Sequence, residues 1–168
     1  MTDNLIAFKP IGILHSEHIE EDRTPIQSKY AQGCEGKLVV FPEFSDGLRD
    51  IDSFSHLYLV VYFHKHESRK LRVSSYLQPD IERGIFATRA PCRPNPIGIS
   101  IVELIRREDN ILFLDCVDIM DGAPVLDIKP YTRRFDHIET KRNGWQDEVD
   151  DETARIRAMR NYRGVKKE

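Results

Sequence analysis

Hydrophobic and polar residues alternate in many short runs along the first 130 residues of the chain. Alternation with a period of two places successive side chains on opposite faces of a strand, so each run predicts a β-strand. The pair Asp109-Asn110 separates two of these runs and predicts a tight hairpin turn. The predicted strands are Ile6–His15, Gly36–Phe41, His56–His64, Leu71–Ser75, Gly84–Ala87, Gly98–Arg107, Ile111–Cys116 and Val125–Lys129.

The number of short strands predicts a mainly β protein. Strands without helical runs between them favour a small antiparallel barrel or sandwich over a doubly wound sheet. Between Pro42 and Ile51 the pattern leaves room for one or two helical turns. The polar segment from Glu17 to Gly33 is a long loop, and such loops in small domains are either functional or disordered.

The composition changes after Tyr131, which divides the chain into a barrel domain over residues 5–135 and an extension over 136–168. Acidic residues at 147–152 precede a helix-compatible run that ends in basic residues, an order that suits the helix macrodipole. Ile156 and Met159 lie three residues apart and predict a small apolar stripe for docking. The basic end could contact phosphate, although a solvated tail helix is the plainer interpretation.

The overall charge argues against a general nucleic-acid binder. The 168 residues carry 25 basic and 28 acidic side chains, a formal net charge of −3, so RNA would have to be held by local patches. No apolar run reaches the length of a membrane span and the first residues do not resemble a signal peptide, which predicts a cytoplasmic protein without membrane contact. Cys34, Cys92 and Cys116 show neither zinc nor redox spacing and suit a reducing compartment.

The segment from Arg89 to Ser100 is rich in proline. Pro91, Pro94 and Pro96 fix their own φ angles and push the preceding residues toward extended geometry. Rigid groups lose less entropy on binding, so the stiffness suits the presentation of a guanidinium and an amide to a ligand. A proline-rich corner between two strands is an equally good interpretation of this segment alone.

A second segment, from Asp121 to Tyr131, begins as an Asp-Gly turn and continues as a strand. Strict alternation predicts that Val125, Asp127 and Lys129 share one face, whereas Leu126 and Ile128 share the other. The apolar face would pack on a core, and the charged face would meet solvent or line a pocket.

Read together, these segments resemble the TsaA-like domain family, which includes the tRNA methyltransferase that acts on N6-threonylcarbamoyladenosine beside the anticodon. The resemblance covers roughly residues 8 to 135, with several motifs in order. The resemblance implies a small β-barrel that binds S-adenosylmethionine without a Rossmann fold, commonly as a homodimer, with tRNA as the substrate. The matching stretches are Ile11–Ser16, Pro25–Gln27, Phe54–Leu57, Arg83–Ser100 and Asp121–Tyr131.

The resemblance also implies the residues that bind S-adenosylmethionine. Arg89 could pair with the carboxylate of the cofactor and Asp121 could accept from its ammonium group. The implied cofactor-binding residues are Pro25, Ile26, Gln27, His64, Lys65, Arg89, Ile99, Ile119, Met120, Asp121 and Gly122.

Methyl transfer from a sulfonium is an in-line displacement, for which a protein mainly supplies alignment. Our hypothesis is that Asn95 and Tyr131 orient the target nitrogen and act as the catalytic pair. Arg93 and Lys129 would hold phosphate or carboxylate of the substrate, and Asp127 would position Lys129. These residues are chosen because they lie in the two motifs that match the family best.

Several alternatives remain open. The chain could hold the cofactor without catalysing transfer, or methylate another small molecule or RNA, because bacterial tRNA-modifying members carry a further C-terminal domain and only about 35 residues follow the barrel here. His64 and His66 would share a strand face as metal ligands can, but no partner lies at a convincing spacing, so no metal is expected. Cys92 beside Arg93 could be a nucleophile, although no histidine partner is identifiable.

Overall fold

The computed structural model describes residues 6–160, and most of the alternating runs form strands there. The strands are β1 Gly12–Ser16, β2 Gly36–Val40, β3 His56–Tyr62, β4 Arg72–Ser75, β5 Gln78–Gly84, β6 Ile97–Glu108, β7 Ile111–Asp115 and β8 Ala123–Pro130. The α-helices are α1 Arg133–Asp136 and α2 Asp151–Met159. Short 3-10 segments lie at Glu21–Arg23, Ser28–Tyr30, Pro42–Leu48, Ile51–Ser53, Ile85–Ala87 and Gly144–Glu148.

Six strands close into a barrel in the order β1-β2-β7-β6-β3-β8, with antiparallel neighbours throughout. Closure leaves no unpaired strand edge in this sheet. Strands β4 and β5 form a separate hairpin. The predicted mainly β barrel is therefore confirmed. Asp109, with φ of 52°, lies in the turn between β6 and β7, a conformation that Asp and Asn tolerate better than most residues.

The core of the protein lies inside the barrel. In β3 the residues Leu57, Leu59 and Val61 point inward and are buried, whereas Tyr58 and Val60 belong to the outer face. The same alternation repeats around the barrel. The further fully buried barrel residues are Leu14, Leu38, Val40, Val102, Leu112, Leu114 and Val125.

Two strand predictions were wrong in their bounds. The first strand begins at Gly12 and not at Ile6. The predicted strand Gly84–Ala87 is a 3-10 segment that begins at Ile85, and Gly84 is the last residue of β5. Ile85 is buried and Phe86 exposed, which imitates strand alternation. Strand β5 has no apolar periodicity because most of its residues face solvent.

The predicted face of Val125 was also wrong. Val125 is fully buried, although it was expected to share the charged face of Asp127 and Lys129. Opposite β3 the register shifts, because Val60 pairs with Asp127 and the next residue, Val61, pairs with Val125. The extra residue Leu126 forms a β-bulge, which changes the face of all residues beyond it.

The extension packs against the long loop of residues 17–33. Helix α2 begins at the N-cap Asp150, whose carboxylate accepts from the N–H of Thr153 at 2.8 Å. At the other end, the carbonyl of buried Ala158 accepts from the N–H of Ile26 at 2.9 Å. The predicted docking stripe was wrong in Ile156, which is 52% exposed, because the small side chain of Ala158 allows the closer backbone approach.

Two arginines attach the extension to the turn of the β4–β5 hairpin as well. The guanidinium of Arg160 lies 3.6 Å from the ring centroid of Tyr76, and Arg157 donates to the carbonyl of Leu77. The basic residues Arg163, Lys166 and Lys167 lie outside the described residues. Within residues 6–160 the structure contains no helix with the length and apolar character needed to cross a bilayer.

Candidate functional site

The proline-rich segment and the Asp-Gly turn meet at the carboxyl end of β3. The N–H of Phe63 donates to the carbonyl of Pro96 at 2.8 Å. The next side chain, His64, donates to the backbone carbonyl of Asp121. Gly122 has φ of +80° and a Cβ there would lie 3.6 Å from Nε2 of His64, so the turn passes directly beside the imidazole. The two motifs that carry the family resemblance are thus close in space.

The Asp-Gly turn is fixed to the end of β1. Its main chain donates at Asp121 N to the carbonyl of His18 (2.8 Å) and at Gly122 N to that of Leu14 (2.9 Å). The Asp121 carboxylate accepts from the N–H of Ser16 at 3.1 Å and lies 3.3 Å from Nδ1 of His15. The contact between His15 and Asp121 is about half exposed and adds little stability, so the backbone bonds hold the turn.

The surroundings of His64 favour its neutral form. Burial lowers the pKa of His64, the charge of neighbouring Lys65 lowers it further, and Asp121 opposes both effects. A neutral imidazole places no positive charge beside a bound cation.

Arg89 joins the long loop to the proline-rich segment. Its guanidinium donates to the side-chain oxygen of Gln27, whose own amide donates to the carbonyl of Ile26 at 2.6 Å. The Pro25–Gln27 stretch is therefore held beside Arg89, 62 residues further along the chain.

Asp118 belongs to the same cluster but was not predicted from the sequence. The hydroxyl of Ser100 and the backbone N–H of Ser28 both donate to its carboxylate. Burial raises the pKa of Asp118 to about 6, against these hydrogen bonds and the charge of Arg89. A sequence signal existed, because Ser100 is a polar residue at a buried, inward-facing position between Gly98 and Val102.

The predicted cofactor-binding residues are thus linked by contacts into one region. Asp118 accepts a hydrogen bond from the loop that carries Gln27, to which Arg89 is bonded, and the chain runs on from Asp118 to the Asp-Gly turn. Asp118 also accepts from Ser100, the residue that follows Ile99. Two clefts among the described residues lie elsewhere, against β2 and β7 and beneath the 3-10 segment Pro42–Leu48. The predicted cofactor-binding residues line neither of them.

The predicted substrate residues of β8 share the outer face of β3. Lys129 is paired with Tyr58 and Asp127 with Val60. The Nζ of Lys129 lies 2.6 Å from Oδ2 of Asp127. Tyr131 continues this row, with its ring centroid 5.6 Å from that of Tyr58.

Asn95 and Tyr131 lie at opposite ends of β3. The N–H of Tyr131 donates to the carbonyl of His56 at 3.0 Å, whereas Pro96, next to Asn95, bonds to Phe63. At about 3.3 Å per residue, the seven steps from His56 to Phe63 span about 23 Å. The two predicted catalytic side chains of one chain therefore cannot contact the same nitrogen atom.

Three other residues have partners that the sequence did not predict. Arg93 donates to the carbonyls of Thr88 (3.2 Å) and Ala90 (3.3 Å), so its guanidinium braces the proline-rich segment. His64 and His66 do not share a face, because β3 ends at Tyr62 and the chain turns. Nε2 of His66 lies 3.3 Å from the carboxylate of Glu21, so the two imidazoles have different partners.

Residues 13–137 match the family model of the tRNA-methyltransferase O N-terminal domain. The chain belongs to this family. The resemblance inferred from the motifs is confirmed, and the barrel matches a crystal structure of TrmO from Pseudomonas aeruginosa with a TM-score of 0.70, 35% identity, and coverage of 83% of this chain and 62% of that one.

Relatives of known name are similar over most of the chain. A probable S-adenosyl-L-methionine-binding protein of Pyrococcus abyssi is 51% identical over 84% of this chain and 76% of its own length. An S-adenosyl-L-methionine-binding protein of Archaeoglobus fulgidus is 37% identical, over 79% of this chain and 94% of its own. The tRNA (adenine(37)-N6)-methyltransferase of Escherichia coli is 35% identical over 74% of this chain, which spans only 57% of that enzyme.

Proposed function

We propose that this protein is a cytoplasmic methyltransferase that uses S-adenosylmethionine to methylate tRNA, at N6 of threonylcarbamoyladenosine next to the anticodon. The observation that carries the proposal is that the proline-rich segment and the Asp-Gly turn meet at the carboxyl end of β3, while Arg89 of the proline-rich segment holds the Pro25–Gln27 loop. The names of the relatives support the cofactor and the class of acceptor.

The chemistry of the clustered side chains fits S-adenosylmethionine. Arg89 provides a cation for its carboxylate, and Asp121 provides an anion for its ammonium group. The neutral form of His64 adds no repulsion toward the sulfonium, and Ile99 offers apolar surface. When bound, the cofactor supplies an electrophilic methyl group.

The acceptor chemistry asks the protein mainly for orientation. A nitrogen between a purine ring and a urea carbonyl is more acidic than an ordinary exocyclic amine, so it can lose its proton and attack directly. Bound S-adenosylmethionine would give up its methyl group to this nitrogen and keep its sulfur as a thioether, and the proton of the nitrogen would pass to solvent. Tyr131 and the Lys129–Asp127 pair would hold the acceptor in line.

We propose in addition that the protein works as a homodimer. Tyr62, Ile97 and Ile99 form an exposed apolar row on the outer face of β3 and β6, with exposures of 38%, 38% and 55%. This row separates Asn95 from Tyr131. A twofold axis across the row would reverse the direction of the facing strands and bring Tyr131 of the partner subunit toward Asn95.

The proposal is tested with labelled S-adenosylmethionine and tRNA prepared with and without the threonylcarbamoyl group. We expect label only in the modified tRNA, recovered in one nucleoside next to the anticodon. Arg89→Ala should lose cofactor binding, whereas Asn95→Ala should bind the cofactor and transfer no methyl group. Label in unmodified tRNA, or full turnover by Asn95→Ala, would contradict the proposed acceptor or the role of Asn95, respectively.

A second candidate is a module that binds S-adenosylmethionine without transferring its methyl group. The observation in its favour is that the relative covered over 94% of its length is named a binding protein. This candidate predicts thermal stabilisation by the cofactor but no label in any tRNA.

A further inference from the structure

Helix α1, two residues after Tyr131, displays an aromatic ring beside two exposed cations. Phe135 is 78% exposed and Ile138 is 75% exposed, so both offer apolar surface to a partner. The neighbouring Arg133 and Arg134 are exposed as well. Neither arginine takes part in any of the ion pairs found within residues 6–160.

The helix that carries this ring is held in place on the barrel. The Asp136 carboxylate accepts from the N–H of Thr132 at 2.6 Å and from the hydroxyl of Tyr58 on β3. The N–H of Phe135 donates to the carbonyl of Thr132 at 3.1 Å. The exposed side chains are therefore presented on a fixed support, which lowers the entropic cost of binding a partner.

The charges around the ring favour an anionic partner. Residues 127–142 contain five basic residues (Lys129, Arg133, Arg134, Lys141, Arg142) and three acidic ones, although the whole chain has a net charge of −3. Asp127 is paired with Lys129, so these two charges offset each other. The segment as a whole keeps an excess of two positive charges, and its arginines therefore favour an anionic partner.

An aromatic ring beside free guanidinium groups fits single-stranded RNA in particular. Unpaired bases stack on exposed aromatic rings, and phosphates pair with arginine. A duplex would offer phosphates but no free base for Phe135. The surface follows Tyr131 by only two residues, so RNA bound there would reach the predicted substrate residues of β8.

We propose that α1 is an RNA-binding surface, on which Phe135 stacks against an unpaired base near the methylated one while Arg133 and Arg134 contact the flanking phosphates. This inference rests on the proposed function, because it assumes a tRNA acceptor. To the proposed function it adds the surface of the protein that would hold the anticodon loop.

The test measures binding of an anticodon stem-loop RNA to the full chain by fluorescence anisotropy at several salt concentrations. Phe135→Leu keeps apolar bulk but loses the ring, so it should weaken binding about tenfold, whereas Phe135→Trp should stay within about twofold. The double variant Arg133→Ala/Arg134→Ala should weaken binding. The slope of log affinity against log salt concentration should also become shallower, by the amount that about two lost phosphate contacts would cause.

The matched control is Arg106→Ala. This arginine lies where β6 pairs with β7, with its guanidinium 3.5 Å from the ring centroid of Phe113. Arg106→Ala removes a positive charge, as the α1 variant does, but leaves α1 itself unaltered. RNA affinity should therefore stay within about twofold of the unsubstituted protein. Every variant must bind S-adenosylmethionine as the unsubstituted chain does, which shows that the barrel is intact.

The possible failures are distinguishable. If the unsubstituted chain methylates tRNA but Phe135→Leu and Arg133→Ala/Arg134→Ala bind RNA unchanged, the surface is overturned and the proposed function stands. If Phe135→Leu alters only the sedimentation of the protein, the ring belongs to a contact between copies and the inference is overturned. If the unsubstituted chain binds the cofactor but no RNA, both the tRNA acceptor and this surface are overturned.

Discussion

Asp118 shows how a single residue can couple the site to pH. Burial raises the pKa of its carboxyl group from 3.8 to about 6 in the folded protein. The folded state therefore holds the proton more tightly than the unfolded chain does. The resulting stabilisation is complete below pH 3.8 and is lost as the pH rises through about 6.

We expect Asp118→Asn to remove this pH dependence. The free energy of unfolding of the variant, relative to the unsubstituted protein, should rise between pH 4 and pH 7 and stay level above. The shift of about two pKa units corresponds to roughly 3 kcal/mol at most. Burial lowers the pKa of His18 and His64, so both act in the opposite direction, but they are present in both proteins and cancel in the difference.

The comparison requires urea unfolding of both proteins at several pH values. A difference between the two free energies of unfolding that does not change with pH would come from the amide group alone. Such a result would show that Asp118 is ionised in the folded state over the whole range.

Gly98 is a second residue whose size matters to the site. A Cβ at Gly98 would lie 2.4 Å from Cζ of Phe63, whose ring packs against the core. Gly98→Ala should therefore cost about 1–3 kcal/mol of stability, as overpacking usually does. It should also weaken binding of S-adenosylmethionine, because a displaced Phe63 moves His64.

The control for this variant is Gly84→Ala. A Cβ at Gly84 meets no atom within 4 Å, and φ there is −60°, so alanine fits without strain. Thermal unfolding and cofactor titration of both variants provide the comparison. Equal stabilities of the two would contradict the contact with Phe63.

At the scale of elements, α2 supports the loop that carries three predicted cofactor-binding residues. The helix contacts this loop through Ala158 and Ile26 and depends on the cap at Asp150. Asp150→Ala should destabilise the helix, because the N–H of Thr153 loses its cap. Because the loop is held by the helix, amide exchange should accelerate in residues 24–30 as well as in α2.

Hydrogen exchange read by mass spectrometry measures this effect segment by segment. Asp46→Ala, which removes another exposed carboxylate, one paired with Arg49, should change neither segment. Faster exchange in α2 alone would mean that the loop is held by the barrel and not by the extension.

The strands also show which elements the sequence could predict. Strands β2, β3, β6 and β7 have one face in the core, so apolar alternation identified each of them to within about two residues. Strand β5 lies outside the barrel and lacks this signal. The bulge at Leu126 depends on pairing with β3, which no local pattern reveals. Likewise, only contacts in the folded protein determine that Ala158, and not Ile156, packs against the long loop.

At the scale of the molecule, the motifs indicated segments that the fold does bring together, but not how far apart their residues lie. The predicted cofactor-binding segments are close because the proline-rich segment meets the Asp-Gly turn at the end of β3 and Arg89 holds the Pro25–Gln27 loop. Asn95 and Tyr131 belong to the same two motifs, yet the register of β6, β3 and β8 places them at opposite ends of that strand. Sequence motifs report neighbours along the chain, whereas this distance is set by strand pairing.

The proposed homodimer resolves this separation, and mixing two inactive variants tests it. If Asn95 of one chain acts with Tyr131 of the partner subunit, Asn95→Ala and Tyr131→Phe should each be inactive alone. In a mixed dimer one of the two sites keeps both residues. Random exchange makes half of the dimers mixed, so about a quarter of the activity of the unsubstituted protein should return.

The control mixes Asn95→Ala with the double variant Asn95→Ala/Tyr131→Phe, which leaves no dimer with an intact site. Methyl transfer to tRNA is measured after the subunits have been denatured and refolded together. A mixture that stays inactive, although sedimentation shows dimers, would mean that each site uses one chain only. Tyr131 and Asn95 would then have to act on different parts of the substrate, because about 23 Å of β3 separates them within a chain.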